Sequence, residues 1–237
     1  MLAGVRPETL DHVALWVADR DPIADFLTER VGMHVVDRTD AFTLVGSDAR
    51  RGKLTLFAAE GPREQGALKH VALRVSSLER AERELRDGLA VERPRDGEIY
   101  FGVSEGLRLG LVEAPTEVDY DLDHVALWSA TPEETAESYE QLGFVPVEPG
   151  PSEAPRVEAG GAFVEFHRGE PGDPERPLLN HLAVKVESAD EHIAEAQELG
   201  LEIDNIVDAA NTYAVFVWGP ERVRVEYVEH KPEFSLT

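Results

Sequence analysis

The stretch LDHVALW at residues 10–16 recurs letter for letter at residues 122–128. Looser copies stand at LKHVALRV, residues 68–75, and LNHLAVKV, residues 179–186, so His12, His70, His124 and His181 each take the third place of one copy. The histidines are spaced 58, 54 and 57 apart, and Gly32, Gly88, Gly143 and Gly200 follow them by 20, 18, 19 and 19 residues. A period of this length marks one supersecondary unit repeated along the chain. Four such units account for nearly all 237 residues.

In the third unit Leu122, His124, Ala126 and Trp128 alternate with Asp123, Val125 and Leu127, the pattern of a strand covered on both faces. The segment TPEETAESYEQLG that follows predicts a helix, with Thr131 as N-cap, Pro132 at the first helical position, Glu134 completing a capping box and Gly143 ending it in a left-handed turn. SADEHIAEAQELG repeats the device in the fourth unit with Ser188 and Glu191, and sets His192 mid-helix on the expected solvated face. Short β-branched and aromatic runs come next, FVPVE, RVEAG and AFVEFH in the third unit, then IDNIVD, YAVFVW and VRVEYV in the fourth. Each unit therefore reads β-α-β-β-β, an α+β organisation.

One unit alone buries too little to fold, so the units are expected in two pairs. The acidic, turn-prone APTEVDYD, residues 114–121, divides the chain into residues 1–118 and 119–237, while RGEPGDPERP at 168–177 is expected as a surface loop joining units three and four.

With 47 acidic against 23 basic side chains the formal charge is −24, and no basic patch is visible, so nucleic acid and anionic membranes are not expected partners. The absence of cysteine excludes disulfides and thiolate metal sites, and without a hydrophobic leader it favours the cytoplasm. There is no apolar run of the roughly 18 residues needed to span a bilayer.

The last strands of the units separate them. Aligning LTLFA with FVEFH sets Leu56 against Glu165, and aligning LRLGLVE with VRVEYVE sets Gly110 against Glu226. A mid-strand glutamate between apolar neighbours is costly to bury unless it is paired or bound to a cation. The expected site is therefore His124, His181 and Glu226, with Glu165 as candidate fourth ligand. The N-terminal pair keeps His12 and His70 but no carboxylate, and is expected to be metal-free. Imidazole and carboxylate together suit iron(II), manganese, nickel or zinc, and three such ligands with open positions match the facial arrangement of non-haem iron sites.

DHVAL, NHLAV and RVEYVE, with a glycine-ended helix after each histidine strand, resemble the vicinal oxygen chelate superfamily from about residue 8 to 230. That superfamily includes glyoxalase I, extradiol dioxygenases, methylmalonyl-CoA epimerase, and fosfomycin and bleomycin resistance proteins. The resemblance implies paired modules forming two half-open β-sheet cups with helices outside. It implies a metal-dependent enzyme acting on a small molecule, with two readings. The first is an iron(II) extradiol-type dioxygenase of a catechol-like substrate, with His167 or Tyr213 handling the substrate proton. The second is a glyoxalase-like lyase or isomerase in which Glu165 joins His124, His181 and Glu226 around nickel or zinc. A non-catalytic binding protein is the third expectation, with Trp128 and Phe216 as wall residues. Exposed edge strands would suit a homodimer.

Overall fold

The computed structural model describes residues 6–85 and 89–236; Gly88, expected to end the second helix, lies outside them. The first module runs β1 (Thr9–Val17), α1 (Arg20–Phe26), β2 (His34–Arg38), β3 (Phe42–Asp48) and β4 (Arg51–Ala58). The second runs β5 (Leu68–Val75), α2 (Leu78–Glu84), β6 (Glu92–Arg95), β7 (Glu98–Gly102) and β8 (Arg108–Glu113). The third comprises β9 (Asp121–Ser129), α3 (Pro132–Tyr139), β10 (Val145–Val147), β11 (Arg156–Ala159) and β12 (Ala162–Arg168). The fourth comprises β13 (Leu179–Lys185), α4 (Ala189–Leu199), β14 (Ile203–Asp208), β15 (Thr212–Trp218) and β16 (Arg224–His230).

These strands form two open eight-stranded sheets, an α+β fold of two half-open cups, in the orders β14-β15-β16-β13-β1-β4-β3-β2 and β10-β11-β12-β9-β5-β8-β7-β6. The first cup thus joins modules one and four, and the second joins modules two and three. This differs from the expected pairing of 1–118 with itself and 119–237 with itself. The reason lies in the connections. The short link before β9 turns the chain back beside β5, so modules two and three share a sheet. The longer links after β4 and β12 instead run side by side between the sheets. There Glu64 N–H donates to Arg176 O at 2.9 Å, Leu178 N–H to Glu64 O at 2.7 Å, Trp16 N–H to Leu178 O at 2.8 Å and Trp128 N–H to Ala67 O at 2.7 Å. The proline-rich stretch at 168–177 is a crossover from one cup to the other.

Alternation decides which side chains enter the cups. Along β1 and β4, Val13, Leu15, Val17, Leu54 and Leu56 are inaccessible and belong to one apolar core shared by all four modules, whereas His12 and Thr55 face the first cup. Gly32, Gly143 and Gly200 close their helical segments with φ of 102°, 82° and 67°. That left-handed backbone is natural for glycine. Ser188 caps α4 through Glu191 N–H at 3.3 Å, but Thr131 makes no side-chain cap, because the local turn is tied instead by Thr131 N–H donating to Ser129 Oγ at 3.0 Å. His192 is buried against the Tyr227 ring, 4.6 Å between centroids, contrary to the solvated position expected of it. Its place on α4 turns it onto β16, and its Nδ1 lies 3.1 Å from Ser188 O.

Candidate metal centre

Strand register brings the repeated histidines together in pairs. The antiparallel β1 and β13 pair Ala14 with His181 and His12 with Ala183, which places both imidazoles on one face of the sheet. The same register recurs between β5 and β9, with His70 opposite Ala126 and Ala72 opposite His124. The parallel last strand of each module then sets one residue beside the position two after the histidine: Thr55, Gly110, Glu165 and Glu226 in modules one to four. Thr55, not Leu56, is therefore the counterpart of Glu165; the alignment slips by one residue, and Leu56 points into the core.

In the first cup His12 Nε2 and His181 Nε2 lie 3.0 Å apart, and Glu226 Oε2 sits 3.2 Å from the former and 2.9 Å from the latter. These three donors form a single cluster at the floor of the cup. Their spacing suits a metal ion: ligands at about 2.1 Å and at right angles to one another stand about 3.0 Å apart. Each imidazole is held through its other nitrogen, His12 Nδ1 by Asp11 at 2.7 Å and His181 Nδ1 by Asn180 Oδ1 at 3.0 Å. Such contacts fix the ring and leave Nε2 to face an ion. Glu226 Oε2 is buried and faces the two imidazole nitrogens with no further partner among the described residues, as an oxygen that shares a cation with them would be. The residues present fit a divalent metal.

Asp11 ties the first cup together. Its carboxylate also meets Lys53 Nζ, at 2.8 and 2.9 Å from the two oxygens, and His230 Nε2 at 3.0 Å. Burial alone would raise the Asp11 pKa, but Lys53 and the two imidazoles hold it well below the usual carboxylate range. Burial likewise opposes a charge on His12, yet its bonds to Asp11 and Glu226 push it up to about 9. Glu226 is lowered to about 2 against its own burial, by His181 and His12. His181 is pulled down by burial, only partly offset by Glu226. In the metal-free protein the cluster is thus a buried imidazolium and carboxylate, and a metal must displace that proton.

Above the cluster lies a cavity of about 480 Å³, with Phe42, Phe57, Phe216, Val228, His230 and Phe234 among its walls. The His230 ring stacks on Phe234 at 4.3 Å, and its Nδ1 is buried without a partner.

The second cup has the same frame with different contents. His70 Nε2 and His124 Nε2 are 3.0 Å apart, but Glu165 Oε2 lies 3.2 Å from His167 Nε2, and the Tyr100 hydroxyl stands 3.4 Å from His124 Nε2. The Tyr100 ring fills the space that a Cβ at Gly110 would need. Asp123 Oδ1 holds His124 Nδ1 at 2.7 Å, whereas His70 follows Lys69 and its Nδ1 has no partner. Burial and the neighbouring positive groups push His70 far below its ordinary pKa.

Of the residues expected at one site, His181 and Glu226 lie together in the first cup, while His124, Glu165 and His167 lie in the second. His12, expected in a metal-free half, supplies the third donor of the first cup. Tyr213 is in register with Glu229 on the face of β15 opposite Phe216, turned toward α4 and away from the cup. Phe216 does line the first cup, and Trp128 flanks the second, where Lys69 Nζ is 4.9 Å from its ring. His230 went unrecognised in the sequence, although its i+4 spacing from Glu226 on one strand puts both on the same face.

Residues 9–96 match the family model Glyoxalase/Bleomycin resistance protein/Dioxygenase superfamily. Among solved structures, a putative dioxygenase from Bacillus subtilis superposes with a TM-score of 0.79 at 17% identity, covering 98% of this chain and 88% of that one. Glyoxalase I from Zea mays gives 0.72 at 17% identity over 93% and 92%. The cppA protein from Streptococcus pneumoniae gives 0.63 at 15% identity over 95% and 100%. No curated protein matches the chain in sequence. No helix among the described residues is long and apolar enough to cross a membrane.

Proposed function

We propose that this chain, whose residues 9–96 match the glyoxalase/bleomycin resistance protein/dioxygenase superfamily, the vicinal oxygen chelates, is an iron(II)- or manganese-dependent dioxygenase of the extradiol type. Its substrate would be a small catechol-like molecule bound in the first cup. The observation that carries this reading is the three-donor cluster of His12, His181 and Glu226, which leaves its remaining side open to an aromatic-walled cavity. The fourth strand position is Thr55, not a carboxylate, and Glu165 belongs to the other cup. That set supports dioxygen chemistry over a glyoxalase-type four-ligand site.

His12, His181 and Glu226 would hold the metal. When bound, it would supply Lewis acidity and redox capacity for the reaction of a diol with dioxygen. The protein contributes the rest. Phe42, Phe57 and Phe216 flank the substrate ring and exclude water. His230 offers the unpartnered Nδ1 as the base for a substrate hydroxyl, while its Nε2–H donates to Asp11. The charge on Asp11 then stabilises the imidazolium, and Lys53 keeps that carboxylate ionised. Glu226 stays anionic throughout, so the site carries one protein charge against a divalent ion.

The test is dioxygen uptake by protein loaded anaerobically with iron(II) or manganese and offered a panel of catechols. Uptake of about one dioxygen per ring opened is expected, with His230→Gln lowering kcat by roughly 10²–10⁴-fold at unchanged metal content. Proton-transfer activity with nickel or zinc, and no dioxygen uptake with iron or manganese, would overturn it.

A further inference from the structure

The second cup differs from the first in the sign of its charge. In three modules the residue before the histidine is an acceptor paired with a cation: Asp11 with Lys53, Asp123 with Arg74 at 2.8 Å, and Asn180 with Arg224 at 3.0 Å. The second module instead has Lys69, and the residue in register beside His70 is Arg108. Two cations stand where modules one and four hold a cation and its acceptor; in module three the place beside His124 is taken by Phe163, and the partner of Asp123 comes from β5. Arg95 and Arg156 complete the ring around a cavity of about 290 Å³. Four basic side chains thus converge on one hollow in a chain of net charge −24.

The carboxylates that share this hollow are already engaged. Asp123 accepts from Arg74 and His124, Glu98 lies 3.4 Å from Arg95, and Glu165 is 3.2 Å from His167. The cations keep donors to spare: Arg108 spends one nitrogen on Glu92 at 2.6 Å and Arg156 one on Glu148 O at 2.9 Å, which leaves the rest of each guanidinium for a ligand. Lys69 Nζ lies over the Trp128 ring and has His167 Nδ1, at 2.9 Å, as its one hydrogen-bond partner among the described residues, and Arg108 Nε is buried without a partner. Arg108 lies over the Tyr100 ring at 5.0 Å and Arg156 over Phe163 at 4.1 Å, so both guanidinium planes are preset by aromatic faces. An anion entering here meets donors already in place.

We propose that the second cup binds the oxyanion of a small molecule, a carboxylate or a phosphate, and not a second metal ion. Lys69 and Arg108 are its main contacts, with Arg156 and the Tyr100 hydroxyl beside them. The site is separate from the three-donor cluster and stands whether or not the first cup cleaves catechols.

The test is calorimetric titration of the metal-loaded protein with sodium benzoate and, separately, inorganic phosphate at low ionic strength. One anion per chain is expected, bound at least tenfold more weakly by Lys69→Gln and by Arg108→Gln, while both variants keep the wild-type metal content. Binding should persist in Glu226→Gln. Preference for benzoate identifies a carboxylate ligand, and preference for phosphate a phosphorylated one. The proposal is overturned if neither probe saturates, if both basic variants bind as wild type, if Glu226→Gln abolishes binding, or if a second metal per chain is bound and then lost in Glu165→Gln.

Discussion

Replacing Asp11 by asparagine removes the one charge that balances a buried lysine. Lys53 is 3% exposed and Asp11 1%, and the lysine's other partner is the Ala49 carbonyl at 2.7 Å. Breaking a buried pair by neutralising one member leaves an uncompensated charge and costs about 3–5 kcal/mol. At roughly 2–4 °C per kcal/mol for a chain of this size, Tm should fall by roughly 6–20 °C. Asparagine keeps a single acceptor oxygen, so one of His12 and His230, which use different oxygens of Asp11, loses its partner, and metal affinity should fall too. The double variant Asp11→Asn/Lys53→Met removes the stranded charge as well, and should recover at least about 2 kcal/mol of the stability lost, because buried ion pairs replaced by packed apolar groups are close to neutral. Thermal and urea unfolding of wild type, both single variants and the double variant closes the cycle. A fall of less than about 1 kcal/mol in Asp11→Asn, or a double variant no more stable than the single, would refute the reasoning that Lys53 depends on Asp11 for its burial.

Other consequences can be measured alongside. The His12 pKa is raised to about 9 in the metal-free fold from an ordinary 6.5, so its contribution is complete below pH 6.5 and is lost as pH rises through about 9. Chelator-treated protein should therefore lose about 3 kcal/mol between those limits, and His12→Gln should flatten that limb. Gly110→Ala drives a Cβ into the Tyr100 ring and should destabilise by about 1–3 kcal/mol in urea, with the first cup's metal content intact. Thr55→Glu places a carboxylate at the fourth strand position of the first cup; tighter metal binding with loss of dioxygen uptake is expected, because an open position is filled.

Particular residues show what could be read from the sequence. The alternation around each histidine and the glycines after each helix were legible because period and backbone sign are local properties. That His181 and Glu226 face each other was legible too, since both lie in one module. The third donor was not. LDHVALW is identical at His12 and His124, so nothing within the repeat says which copy lies beside β13; that is decided by crossover links far from either histidine. Thr55 was missed for a different reason, a slip of one residue between short strands, which exchanges the cup face for the core face. Lys69, by contrast, stood in plain view as the one basic residue before a repeated histidine. Its meaning depended on Arg108 across the sheet.

The most direct measurement is metal content per chain, in protein reconstituted with iron(II) or manganese, for wild type beside Glu226→Gln, His12→Gln and Glu165→Gln. One metal per chain is expected, lost in the first two variants and retained in Glu165→Gln. Metal retained without Glu226 and His12 but lost without Glu165 would move the centre to the second cup. No metal in any of the proteins would contradict a metal-dependent function altogether.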